Sequence, residues 1–332
     1  MSTQLVSTQA DPDPLELLVR QIRFEGQGIH SYELVDPEGA ALPPFTAGAH
    51  IDIHLAGVVV RQYSISNAPR ERHRYVIAVL RDERGRCGSR ALHEQLRVQD
   101  IVRVSRPRNN FRLVDGARRV LLIAGGIGVT PLKTMAHELE EAGVEYEMHY
   151  CAKDARCAAF AEEFAPMRAS GRLHFHFDGG DPSADLDIRG LLNQPRDGEH
   201  VYYCSPGGFM KACAEAAEHW PAGTVYFEHF KALERSPAGQ AANDALDHFI
   251  VRIASTGQEI EIAKEQTIAD ALVQAGVAME TSCCAGLCGT CKVRYLEGEV
   301  EHNDFILSDE EKTEYLTACV SRAASKVFVL DL

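Results

Sequence analysis

The chain has no apolar stretch long enough to cross a bilayer. Its longest weakly polar run, Val120 to Leu132, is thirteen residues interrupted by Gly125, Gly126 and Gly128, against roughly 18 or more for a spanning helix. The first fourteen residues, MSTQLVSTQADPDP, hold neither a basic start nor an apolar core. They do not read as a secretory leader, so a frayed tail and a cytoplasmic location are expected. Cations are scarce as well: 34 Lys and Arg against 48 Asp and Glu leave a formal net charge of -14, which argues against general nucleic-acid binding because that needs a basic footprint. No G-x-S-x-G occurs and no Ser, His and Asp arrangement can be placed, so hydrolysis has no support. The G-x-G-x-x-G fingerprint of a plain Rossmann domain is also missing. The fourteen histidines show no metal-binding spacing. His149 stands alone and His174 and His176 alternate on one strand face, as core or surface residues do. There is no internal repeat.

At about 100 to 200 residues per domain, 332 residues allow two or three domains, and 45% hydrophobic with 25% charged residues is a globular composition. Charge is segregated along the chain. Arg61 to Arg112 carries thirteen arginines and no lysine against five carboxylates, whereas Asp247 to Leu332 carries seven cations against fifteen. Two solvated faces of opposite sign account for this most simply. Ten cysteines in a reducing compartment argue for metal or cluster ligation over disulfides.

Residues 1–14 are expected to be a flexible tail. Residues 15–114 read as short alternating strands with turns, plus one helix from Ser89 to Gln95, which predicts an antiparallel β-sandwich or small barrel. Residues 115–230 alternate strand and helix, which predicts βαβ units on a parallel sheet. The sequence KALERSPAGQAANDAL, residues 231–246, has the composition of a linker. Residues 247–332 combine strands with a helix at TIADALVQAG, a cysteine-rich loop and a second helical stretch at SDEEKTEYL.

Cys283, Cys288, Cys291 and, after 27 further residues, Cys319 reproduce the C-x4-C-x2-C…C ligand spacing of plant-type 2Fe-2S clusters. Gly286 and Gly289 would let backbone N–H groups close around cluster sulfurs. Structural zinc prefers two C-x2-C pairs or Cys with His, and only Cys288 and Cys291 form such a pair. Cys284 could replace Cys283 with a three-residue gap, but the four-residue spacing favours Cys283. On the strand RQYSIS, period two places Arg61, Tyr63 and Ile65 on one face and Ser64 on the other, a cation, an aromatic plane and a hydroxyl suited to a flavin. Gly88 and Ser89 open a helix, where exposed N–H groups form a phosphate site. In AGGIGVTP a strand ends at Ala124 and a turn through Gly125, Gly126 and Gly128 follows, with Thr130 as the expected N-cap and Pro131 in the first helical turn. This arrangement brings amides onto a pyrophosphate. Cys204, Ser205 and Pro206, also between a strand and a helix, are a second candidate for a cofactor-facing loop, although Cys204 taken alone is more often a buried core thiol.

The series RQYS, GRCGS, GGIGVTP, CSPGG, FEHF and CCAGLCGTC with CVSRA, in that order from about Leu15, resembles the phthalate dioxygenase reductase family, which includes vanillate demethylase reductases. The resemblance implies an antiparallel β-barrel flavin domain, a ferredoxin reductase-like α/β nucleotide domain and a C-terminal α+β β-grasp ferredoxin domain. It further implies FMN, with Arg61 and Ser89 near the phosphate and Tyr63 and Ser64 at the ring. Gly126, Gly128, Thr130 and Cys204 would line the nicotinamide site and Phe230 would lie close to the flavin. Ser205 stands where flavin reductases usually have Gly. Lys153 stands where Arg is expected near the adenosine side, and NADH is expected over NADPH. NADH gives two electrons and a 2Fe-2S cluster takes one, so a carrier able to do both must stand between them, as a flavin can. The final acceptor implied is the Rieske centre of a separate oxygenase. A reductase for a cytochrome P450 shares every motif, and a non-catalytic iron–sulfur sensor or subunit would share the cluster alone.

Overall fold

The computed structural model describes residues 14–54, 60–83, 88–179, 186–230, 248–264, 266–279, 281, 286, 289–304, 306–308 and 310–332. The frayed tail apart from Pro14, the linker expected at 231–246, and Cys87, Cys283, Cys284 and Cys288 lie outside the described residues. The described residues form two compact units, one ending at Phe230 and one beginning at His248. Among them no helix is long and apolar enough to cross a membrane.

The first unit opens with β1 (Leu15–Gly26), which folds back on β2 (Ile29–Val35) through Gly28 at φ 74°, a backbone state that favours glycine. β3 (His50–His54), β4 (Arg61–Ser64), β5 (Tyr75–Leu80) and β6 (Ile101–Val104) complete an antiparallel sheet in the order β4-β3-β6-β1-β2-β5. A bridge between Ile65 and Ile77 joins the β4 end to β5 and closes the barrel. Alternation turns Leu17, Val19, Leu34, Ile51, Ile53, Ile77, Val102 and Val104 into one buried core. Helix α1 (Gly88–Gln95) lies between β5 and β6.

In the same unit, β7 (Arg119–Gly125), β8 (Glu145–Ala152), β9 (Leu173–Phe177), β10 (Glu199–Cys204) and β11 (Val225–Glu228) form an all-parallel sheet ordered β11-β10-β7-β8-β9. The crossovers carry α2 (Val129–Ala142), the short α3 (Ala165–Ala169) and α4 (Ile188–Leu192), and α5 (Gly207–Ala216). The chain moves outward from β7 to β9 and then returns to the other side of β7. The β7/β10 pair is therefore the switch point outside which ligands bind in such sheets. Ile29, Ala47, Ala78 and Phe111 from the barrel share a buried cluster with α2 and β7, so the two sheets form one packed body.

The second unit holds the strands β12 (His248–Ile253), β13 (Glu259–Ala263), β14 (Lys292–Glu297), β16 (Tyr315–Thr317) and β18 (Val327–Leu330), with a separate β15 (Val300–Glu301) to β17 (Arg322–Ala323) pair. The five form a mixed sheet ordered β13-β12-β18-β14-β16, with the helix α6 (Ile268–Gln274) capped by the Thr267 hydroxyl. The helix expected at SDEEKTEYL reduces to a single turn at Glu311–Thr313. Ser308 and Glu311 do exchange capping-box hydrogen bonds. However, the Tyr295 amide takes the Glu314 carbonyl and β14 recruits residues 315–317 as a strand.

Candidate functional site

At the switch point two loops interlock because they lack side chains. A Cβ on Gly125 would fall 1.9 Å from Ser205 Oγ, and one on Gly128 would fall 2.1 Å from the Cys204 carbonyl oxygen. Gly126 adopts φ 53°, and a tight turn over Gly126–Gly128 leads directly into α2. The N-cap of α2 is Gly128, with no side-chain cap. Thr130 is therefore not the expected cap. The glycine turn has already begun the helix, and the Thr130 hydroxyl donates to the Ile127 carbonyl at 3.0 Å. Pro131 does lie in the first turn. α5 likewise starts after Pro206 without a side-chain cap. The helix starts after β7 and β10, neither with a side-chain cap, thus follow neighbouring strand ends, a favourable place for phosphate.

Three polar side chains stand at the strand ends behind these loops. Cys204, fully buried, pairs in register with Ala124 on one side and Glu228 on the other. Burial, reinforced by the Glu228 charge, pushes its thiol well above the usual range. Glu228 Oε2 and Ser205 Oγ are shut off from solvent with no hydrogen-bond partner. Burial pushes the Glu228 carboxyl up to about 8. Buried polar atoms without partners are costly, so these two fit a ligand that supplies hydrogen bonds, as a nicotinamide carboxamide does. Phe230, the residue of FEHF expected near the flavin, is 38% exposed at the end of the unit. Glu228 was missed, although a carboxylate at the carboxyl end of a parallel strand was a usable signal.

On the barrel, Arg61 crosses the start of α1. A Cβ on Gly88 would fall 2.6 Å from Arg61 Cγ and 2.9 Å from its Nε, so glycine is what admits the arginine stem. The Ser89 hydroxyl accepts from the Asp82 amide at 3.0 Å, fixing the approach to the helix. Arg90, in the same turn, pairs through a solvent-shielded Nε with Glu94 at 3.9 Å. An arginine stem packed on the first residue of a helix fits a phosphate group. Tyr63 packs against the barrel core and burial raises its phenol pKa. On the opposite face Ser64 is buried and pairs with His50. His50 has both ring nitrogens unpartnered, and burial, then the Arg108 charge, lowers its pKa to about 4.

In the second unit Cys291 and Cys319 are each 3% exposed, with Sγ atoms 3.1 Å apart, too far for a disulfide at about 2.05 Å. Cys291 directly precedes β14 and Cys319 follows β16. Gly286 (φ 71°) and Gly289 (φ 76°) precede Cys291, and a Cβ on Gly286 would fall 2.7 Å from Val320 Cγ2, beside Cys319. Two converging buried thiols are a soft donor pair of the kind a 2Fe-2S cluster requires.

A model of the 2Fe-2S iron-sulfur cluster binding domain family matches residues 251–324. The chain is 51% identical to a tert-butanol monooxygenase / tert-amyl alcohol desaturase reductase subunit of Aquincola tertiaricarbonis, over 96% of each chain. It is 41% identical to a vanillate O-demethylase oxidoreductase of a Pseudomonas species, over 96% of this chain and 100% of that one. The solved structure of a phthalate dioxygenase reductase, described as modular for electron transfer from pyridine nucleotides to [2Fe-2S], superposes with TM-score 0.81 at 37% identity, over 96% and 98% of the two chains. Barrel, switch-point crevice and paired thiols define a flavin-dependent, pyridine-nucleotide oxidoreductase with an iron–sulfur domain of its own. The chain belongs to the phthalate dioxygenase reductase family.

Proposed function

We propose that the protein takes electrons from NADH on FMN and passes them singly through its 2Fe-2S cluster to the Rieske centre of a separate oxygenase. The observation that carries the reading is the group of unpartnered polar atoms, Ser205 Oγ and Glu228 Oε2 beside Cys204, at the parallel sheet's switch point. These residues would receive the nicotinamide. Arg61, Ser89 and Arg90 would hold the flavin phosphate, Tyr63 and Ser64 the ring, and Cys283, Cys288, Cys291 and Cys319 the cluster. When bound, a flavin converts a two-electron donor into a one-electron source for the cluster. The chain's own residues bind and orient. Gly125 and Gly128 let amides approach the pyrophosphate, and burial keeps the Cys204 thiol and the Glu228 carboxyl in their neutral, donating forms.

FMN is favoured over FAD because one arginine-lined helix start is present and no adenine-binding segment is evident in the barrel sequence. Acid extraction followed by chromatography tests this, and recovery of FAD would contradict it. NADH is favoured over NADPH by the loop after β8. There the Asp154 side chain engages Arg156 through Nη2 at 2.8 Å, and hydrogen bonds from Arg156 hold the Asp154 carboxyl at about 2. That carboxylate occupies and offsets the Arg156 guanidinium, which would otherwise attract a 2'-phosphate, leaving Lys153 as the cation of this loop that Asp154 does not engage. The ratio of kcat/KM for NADH and NADPH tests the preference, and equal values would contradict it. An acceptor assay with an oxygenase and with a cytochrome P450 separates the proposed partner from its rival.

A further inference from the structure

Lys133 lies in α2, three residues after Thr130, and is only 3% exposed. Its ammonium donates to the Ser66 carbonyl at 3.0 Å, pairs with Glu163 Oε2 at 2.7 Å and sits 4.3 Å from the centre of the Phe160 ring. Glu163 in turn reaches Arg23 on β1 at 3.4 Å. Burial alone would raise the Glu163 carboxyl, but the Lys133 and Arg23 charges reverse this and hold it below its ordinary value.

Adhesion between barrel and nucleotide sheet does not call for a buried charge. Thr134 Oγ1 accepts from the Gly48 amide at 2.9 Å, Glu138 accepts from the Ala47 amide at 3.1 Å, and a common apolar cluster spans the seam. An ammonium removed from water is a weaker adhesive than an apolar side chain of the same size. What it adds is direction: a charge-assisted donor fixes one carbonyl at one distance. That carbonyl belongs to a residue whose own amide and hydroxyl are both bonded to the Val76 carbonyl. Phe160, beneath the ammonium, holds φ 60°, a left-handed state uncommon for a bulky residue.

We propose that Lys133 is a positioning residue that sets the spacing between the nucleotide loop, Gly125 to Thr130, and the flavin strand β4 by clamping α2 to the carbonyl of Ser66, just beyond the strand's end. The inference rests on the reading above that these two segments hold the nicotinamide and the flavin. Ser66 is two residues beyond Ser64, and Lys133 is one helical turn beyond Thr130. A lost clamp would therefore alter the approach of the two rings while leaving each binding surface intact. Misplacement by about 1 Å can lower a transfer rate about 100-fold.

The test is anaerobic rapid mixing of purified full-length protein with NADH, for the unmodified chain, Lys133→Met and Glu163→Gln. Lys133→Met should retain flavin and iron per chain and bind nicotinamide within about twofold of the unmodified protein. Its limiting rate of flavin bleaching should fall about tenfold or more, with a weaker long-wavelength absorbance of the nicotinamide–flavin pair. Glu163→Gln, on a half-exposed side chain, should show a smaller fall in the same sense. Unchanged rates and absorbance, or a change in nicotinamide affinity alone, would overturn the proposal. If Lys133→Met fails to fold, a wild-type limiting rate in Glu163→Gln overturns it. Failure of NADH to bleach the unmodified protein would instead overturn the functional reading on which it rests.

Discussion

Gly125 and Gly128 hold the switch point open by what they omit, and a single methyl tests each. Gly125→Ala drives a carbon onto the movable Ser205 hydroxyl, whereas Gly128→Ala drives one onto the Cys204 backbone. Gly128→Ala should therefore be the more damaging. It should lower NADH-driven flavin reduction by a hundredfold or so while flavin content stays normal, and a loss of flavin instead would place the clash elsewhere. Glu228 gives a pH prediction. Its folded pKa of about 8 lies above the ordinary carboxyl value of 4.5, so its neutral form stabilises the fold fully below about 4.5 and that contribution is lost as pH rises toward 8. Glu228→Gln, fixed in the neutral form, should lose this part of the pH dependence. Melting temperatures of the two proteins from pH 5 to 9 should diverge as pH rises, with the variant the more stable, and parallel curves would count against a buried neutral carboxyl. Cys319→Ser should lose iron and sulfide while Cys284→Ser retains them, by direct analysis of both variants.

At the scale of elements, legibility followed how local the cause was. The β7-turn-α2 and β10-turn-α5 units were readable from Gly125, Gly126, Gly128 and Pro206, because glycine and proline act on their own backbone. Thr130 misled because a capping residue type was present where the preceding glycine turn had already started the helix. SDEEKTEYL misled because its capping box is a local signal, and β14, far away in sequence, took the following residues as a strand. The spacing named Cys291 and Cys319, which the fold brings together, while Cys283 and Cys288 lie outside the described residues. Burial of Glu228 and the pairing of Lys133 with Ser66 were not, since both arise only when distant strands and helices pack. At the barrel element formed by β4 and α1, Gly88→Ala would press a carbon against the Arg61 stem. The expected result is loss of flavin from the purified protein with little change in cluster absorbance, and full flavin retention would remove Arg61 from the phosphate site.

For the whole molecule, a barrel and a parallel sheet that share one core form the unit ending at Phe230, and the cluster domain forms a unit with its own buried core. A chain ending near Ala232 should accordingly fold, keep its flavin and reduce ferricyanide from NADH, yet fail with an acceptor that needs the cluster. The acidic residues from Asp247 onward suit a docking role. Transfer from the full chain to its partner should then slow as salt shortens the screening length to about 8 to 10 Å and below, and a rate indifferent to salt would assign those charges to solubility alone. The order of electron flow is tested most directly by mixing full-length protein with NADH without oxygen and following flavin and cluster absorbance separately in time. Flavin bleaching should come first and depend on NADH concentration, with cluster bleaching following at a concentration-independent rate and absent in Cys319→Ser. Cluster bleaching that precedes the flavin, or a flavin that NADH leaves oxidised, would contradict it.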